Sequence, residues 1–95
     1  MITVIYDLIK DKIPNVIAVK MRTNDDFLIV QSTDLEIYYL NETAKIFLLM
    51  CDGIKNIECL TKKLFDIYEV EENTVKTDVV DLIRDLQWKK ILSLR

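Results

Sequence analysis

The sequence predicts an α+β domain in which a three-stranded antiparallel sheet is followed by three helices. Three observations carry this reading. Up to Leu40, apolar residues come in short runs parted by Thr23-Asn24-Asp25-Asp26 and by Ser32-Thr33-Asp34, clusters of the kind that turn one strand into the next. Beyond Asn41 the apolar residues recur three and four apart, the helical spacing. The change of period falls within one stretch, Leu40–Gly53, which reads LNETAKIFLLMCDG and holds the only glycine of the chain.

Residues 1–13 satisfy two periods at once. Ile2, Val4, Tyr6 and Leu8 alternate as in a strand, whereas Ile5, Leu8, Ile9 and Lys12 share one helical face. Pro14 ends either element. This N-terminal extension reads as an added strand or turn covering the core; the sharper alternative is a contact with a partner or with a second copy in a homodimer.

From Val16 to Arg22 the β-branched Val16, Ile17 and Val19 predict the first strand. Phe27–Gln31 is the second and Leu35–Leu40 the third, and their tight links make a meander. The third strand is placed at a sheet edge, where unpaired amides and carbonyls are open to another chain. Tyr38 and Tyr39 then have two readings: one ring in the core and one on the surface, or an edge kept attractive to an incoming peptide.

Asn41 is suited to cap the first helix, and Glu42 complements its positive end. Ala44, Phe47, Leu48 and Cys51 form its apolar face, and Gly53 is expected to stop it. Asn56 caps the second helix, where Ile57, Leu60, Leu64 and Ile67 line one face and Lys62 and Lys63 fall on the solvated side. The third helix is expected from Glu72 or Asn73 to Ile91, its acidic start and its Lys89-Lys90 end both matched to the helix dipole.

Projected at about 100° per residue, Val75, Val79, Leu82 and Leu86 of that third helix make a core seam. Beside it runs a row of mixed character: Lys76, Val80, Ile83, Gln87 and Ile91. The row is either the wall of a groove or the margin of a broad buried stripe. Trp88 lies away from the seam. It packs on the N-terminal segment or stands exposed, and an exposed tryptophan is a candidate partner site.

Composition excludes more than it assigns. Ninety-five residues make one small domain, 1–95, with little room for an enclosed active site. A net charge of −3 argues against nucleic acid, whose phosphates call for a basic patch. The absence of histidine removes the commonest general base and metal ligand. Cys51 and Cys59 lack zinc or CxxC spacing and read as small buried hydrophobes, with no disulfide expected in a reducing cytosol. There is no Gly-rich phosphate loop, GxSxG or HExxH. Asp7, Asp34, Asp52 and Asp78 read as turn, cap or surface residues. No metal or cofactor is expected. No apolar run approaches the ~20 residues of a membrane span, and the start lacks a signal-peptide pattern, so a cytoplasmic location is expected.

LNETA, a short apolar helix, DG, a second helix and a third ending in an apolar pair resemble the PqqD family, over Val16 to Leu92. That family includes the peptide-recognition elements of peptide-modifying pathways. The resemblance implies a winged helix-turn-helix-like packing and a non-catalytic module that binds the leader segment of a ribosomally made precursor peptide. By this resemblance the leader would add a strand along Glu36, Ile37, Tyr38 and Tyr39. Val80, Ile83 and Gln87 would line the groove, and Lys76 and Arg84 would pair with acidic leader residues. The implied partner is a modifying enzyme: a radical S-adenosylmethionine maturase, or else a leader peptidase or cyclodehydratase. Any iron–sulfur cluster would belong to that enzyme, because two cysteines do not ligate one.

This sequence departs from the family pattern at two places. Leu35 stands near the glycine that many members have in the second turn, and Lys90 stands where glycine tends to precede the final apolar pair, so the third helix is expected to run longer. The alternative reading is a winged-helix DNA-binding regulator, which the helical pair allows and the acidity opposes. A small enzyme comes third.

Overall fold

The computed structural model describes the backbone from Ile2 to Arg95 and the side chains from Val4 onward. The elements run α1 (Ile2–Ile9), β1 (Pro14–Val16), β2 (Lys20–Asn24), β3 (Phe27–Gln31), β4 (Ile37–Leu40), α2 (Glu42–Met50), α3 (Ile57–Tyr68), α4 (Glu72–Trp88) and β5 (Leu92–Leu94). The expected meander is present: β2, β3 and β4 form an antiparallel sheet in that order, with three helices after it. Leu28 and Val30 of β3 and Leu40 of β4 turn their side chains into the core. Phe47 and Leu48 of α2, Leu60 and Leu64 of α3, and Val79 and Leu86 of α4 close over them.

The two hairpins differ in how they turn. Asp25-Asp26 joins β2 to β3, with Asp25 at φ 44. Between β3 and β4, Ser32 donates its N–H to the Glu36 carbonyl at 2.9 Å, and Leu35 takes φ 67. Leu35 therefore adopts the left-handed backbone that glycine takes without a penalty.

Both asparagine caps form as the sequence indicates. Asn41 Oδ1 accepts from the Ala44 N–H at 3.0 Å, and Asn56 Oδ1 accepts from the Cys59 N–H at 2.9 Å. α2 ends at Met50 with Cys51 extended, so Gly53 (φ 78) is not its stop and lies in the loop beyond. That loop is held by Asp52, whose Oδ1 accepts from the N–H groups of Ile54 and Lys55, both at 2.9 Å. The bonds and ion pair from Lys55 hold the Asp52 carboxyl well below the usual carboxylate range.

Three further expectations are corrected. The strand expected over Val16–Arg22 is split into β1 and β2. The long third helix stops at Trp88: Lys90 takes φ 58, and this left-handed residue turns Ile91 and Leu92 back into the core. The chain then continues as β5, which pairs antiparallel with β1 in the register Pro14↔Leu94, a pairing with no local sequence signal. The N-terminal extension is a helix, not an added strand or turn. Ile5, Tyr6 and Ile9 pack inward while Val4 and Leu8 face solvent, so burial follows a helical spacing, but on a different face from the one expected: Leu8 and Lys12 are exposed and Tyr6 is buried. No helix among the described residues is long and apolar enough to cross a membrane.

Candidate functional site

α4 is the helix around which the candidate site is built, and its circumference divides into distinct arcs. Val75, Val79 and Leu86 face the core and are buried. On one side of this seam, α1 covers the helix. Tyr6 is 3% exposed, and the Lys76 ammonium lies 5.1 Å from the centre of its ring. Val80 and Ile83, on the same side, are 0% and 1% exposed. Asp78, Leu82, Asp85 and Lys89, spaced three or four apart, form the other side; Lys89 lies against Tyr38 of β4, and Asp78 and Leu82 share a cleft with Thr43 of α2. Trp88, Arg84 and Asp81 point to solvent, with Trp88 86% exposed.

β4 ends the order β2-β3-β4 and so leaves one edge unpaired. Hydrogen bonding in an antiparallel pair alternates along the strand. Because Ser32 and Glu36 are a bonded pair and the register continues through Val30↔Tyr38 and Leu28↔Leu40, Tyr38 and Leu40 direct their backbone groups toward β3. Ile37 and Tyr39 therefore direct theirs outward. Side chains alternate the other way. Tyr38 packs toward α4, whereas Ile37 and Tyr39 lie on the open face of the sheet, with the Tyr39 ring 5.9 Å from that of Phe27.

Beyond its last turn α4 meets β4 through side chains: Lys89 holds Asp85 at 2.8 Å and lies 5.2 Å from the centre of the Tyr38 ring, while Lys90 pairs with Asp34 at 3.1 Å. Along the same side of α4, Leu82 leads to an apolar cleft of about 170 Å³, lined chiefly by Leu64, Tyr68, Val70, Val79 and Thr43. No group of histidine, cysteine, aspartate or glutamate among the described residues is arranged to hold a metal ion. Cys51 donates its thiol to the Phe47 carbonyl at 3.3 Å; burial, with the neighbouring Asp52 charge, pushes that thiol up to about 12.

The structure brings together only part of the sequence-derived site. Ile37, Tyr38 and Tyr39 lie on the edge strand as expected. Glu36 does not: its N–H and carbonyl are both engaged by Ser32 in the hairpin, so it precedes the available edge. Val80 and Ile83 are core residues under α1, which corrects their placement in a groove wall and makes that row the margin of a buried stripe. Lys76 bonds Glu72 at 3.3 Å beneath α1's Tyr6, away from β4. Arg84 and Gln87 are exposed, outside the side of α4 that faces β4. Asp78, Leu82, Asp85 and Lys89 were not singled out as one side of α4. Helical projection does place them together, but it does not say which side of the seam α1 covers.

The sequence model of the family described as coenzyme PQQ synthesis protein D (PqqD) matches residues 27–92. The chain belongs to the PqqD family. The match begins with β3, so α1, β1 and β2 lie ahead of it. No curated protein matches the chain. Among solved structures the chain is similar to the solution NMR structure of the PqqD truncation of Methylobacterium extorquens PqqCD. That protein is described as a functional and stand-alone ribosomally synthesized and post-translational modified (RiPP) recognition element. The TM-score is 0.70 at 15% identity, over 85% of this chain and 88% of that one. At that identity the likeness establishes a shared fold: the PqqD arrangement of sheet and helices.

Proposed function

We propose that this PqqD-family chain is a non-catalytic recognition module that binds the leader segment of a ribosomally made precursor peptide by strand addition to β4. It would present that peptide to a modifying enzyme: a radical S-adenosylmethionine maturase, with a leader peptidase or cyclodehydratase as the other candidates. The observation that carries this reading is the free edge of β4, with Ile37 and Tyr39 directing their backbone groups outward. An added strand takes generic affinity from main-chain bonds and selectivity from pockets for alternate side chains. Family membership supports the same reading, as does the likeness to a protein described as a recognition element. The module's contribution to catalysis would be effective concentration, holding the modifiable segment near its enzyme.

The energetics set a further requirement. Two N–H and two C=O groups, at about 0.5–1.5 kcal/mol net for each bond, give about 2–6 kcal/mol. Micromolar affinity needs about 8 kcal/mol. Main-chain pairing alone therefore falls short, and side chains of the leader must be anchored on the protein as well.

The test is titration of the ¹⁵N-labelled protein with the leader of a precursor encoded beside it, alone and with the neighbouring modifying enzyme. Shifts at Ile37–Leu40 and along residues 78–89 are expected. Shifts confined to α1 or to the open sheet face, or none with the enzyme present, would overturn the proposal.

A further inference from the structure

We infer that the apolar cleft where α2, α3 and α4 meet is an anchor pocket for one large apolar side chain of the bound peptide, and that its carboxylate rim selects a lysine or arginine beside that side chain. The inference rests on the strand-addition reading and specifies its ligand. The cleft lies where an added strand would deliver a side chain. Thr43, in the first turn of α2, follows closely on Leu40 at the end of β4, and Leu82 continues the side of α4 that carries Lys89 over Tyr38. A peptide paired along Ile37–Leu40 would therefore place its next residues over this cleft.

Size and lining define the apolar half of the ligand. The volume is about 170 Å³, comparable to the ~150 Å³ of an apolar cavity that accepts a benzene ring. One phenylalanine, leucine or methionine side chain is of the right order. Leu64, Val70, Val79 and Leu82 form most of the wall with the Tyr68 ring, and the Tyr68 hydroxyl accepts from Thr43 Oγ1 at 3.5 Å.

The rim defines the charged half. Asp78 lines the cleft, is exposed, and forms no ion pair among the described residues, whereas Asp85, Asp34 and Glu72 are each matched by a lysine. Glu42, beside Thr43, and Glu69 and Glu71, on either side of Val70, are also exposed, and among the described residues no lysine or arginine lines the cleft. An uncompensated carboxylate at an apolar mouth attracts a cation and disfavours an acidic neighbour. The peptide carried here is therefore basic next to its anchor. This reverses the sign expected when Lys76 and Arg84 were placed in the groove.

The probes are three capped dipeptides too short to add a strand: Ac-Phe-Lys-NH2, Ac-Phe-Glu-NH2 and Ac-Ala-Lys-NH2, titrated into ¹⁵N-labelled protein. Ac-Phe-Lys-NH2 is expected to shift the amides of Thr43, Val70 and Leu82. Ac-Phe-Glu-NH2 should bind about fivefold more weakly, the scale of one exposed ion pair, and Ac-Ala-Lys-NH2 should leave those amides unmoved. Asp78→Lys, a change of an exposed side chain, should invert the ranking of the two phenylalanine peptides. Thr74→Trp, which fills the mouth, should abolish the shifts while spectral dispersion shows the fold intact. Equal binding of the two phenylalanine peptides, or shifts confined to the open sheet face, would overturn the pocket.

The two readings separate with a full leader. If it moves Ile37 and Tyr39 but ignores Asp78→Lys, the pocket fails and strand addition stands. If the dipeptides behave as expected but no leader moves Ile37 and Tyr39, strand addition fails and the side-chain pocket stands.

Discussion

The Lys89 ammonium lies 5.2 Å from the centre of the Tyr38 ring while holding Asp85 at 2.8 Å. One cation thus links the last turn of α4 to the edge strand. Such a contact at a partly exposed site contributes about 0.5–1 kcal/mol. A double-mutant cycle of Tyr38→Leu and Lys89→Met, followed by urea unfolding, is expected to return a coupling of that size. A coupling of zero would mean that the ring and the ammonium are neighbours without energetic consequence.

Ile83 is 1% exposed beneath α1. Ile83→Ala is expected to lower stability by about 2–5 kcal/mol through the cavity it leaves. Peptide affinity per folded molecule should stay unchanged. Thermal melts and titration below the melting temperature check both halves, and lost affinity at unchanged stability would put the residue back in the binding surface.

Leu35 adopts φ 67 with its side chain 65% exposed, so it bears backbone strain with little burial to offset it. A left-handed L-residue costs about 1–2 kcal/mol, and glycine gives back about 0.4–1 kcal/mol through a more flexible unfolded chain. Leu35→Gly should therefore stabilise the protein, by up to about 1.6 kcal/mol, with an upward shift of the urea midpoint at constant slope. A lower midpoint would show that the exposed side chain has a contact worth more than the strain.

Cys51 gives a pH dependence with a definite sign. Its thiol is pushed up from 9.0 to about 12 in the folded state. Above pH 9 the unfolded chain loses this proton while the folded chain keeps it, so stability falls as pH rises toward 12. Cys51→Ala should flatten that part of the curve, measured by urea unfolding at a series of alkaline pH values. In the native protein at pH 8.5 Cys51 should also react more slowly with iodoacetamide than it does in urea, because the thiolate is the nucleophile.

Much of the fold was legible because its signals are local. Asn41 and Asn56 each cap a helix through a bond to an amide three residues on, and β3 matches Phe27–Gln31 residue for residue. The misses share a different cause. β1 and β5 have three residues each and are defined by pairing across nearly the whole chain. The end of α4 depends on Lys90 accepting a conformation that sequence statistics reserve for glycine. The candidate site was half legible. Alternation through Ile37, Tyr38 and Tyr39 marked the edge strand, but periodicity along α4 gives arcs and not their neighbours. Only the docking of α1, a segment ambiguous between two periods, decides that Val80 and Ile83 are covered while Lys89 reaches Tyr38 of β4 and Leu82 lines the cleft with Thr43.

The asymmetry of α4 has a consequence for how such a protein changes over evolutionary time. Substitutions at Val80 and Ile83 remove buried volume, whereas those at Asp78 and Asp85 alter exposed charge and touch little of the core. Drift on the exposed side is therefore cheap in stability, and drift on the covered side is not. Routes to a changed surface and routes to loss of the fold pass through different residues of one helix, so the first can be explored without entering the second.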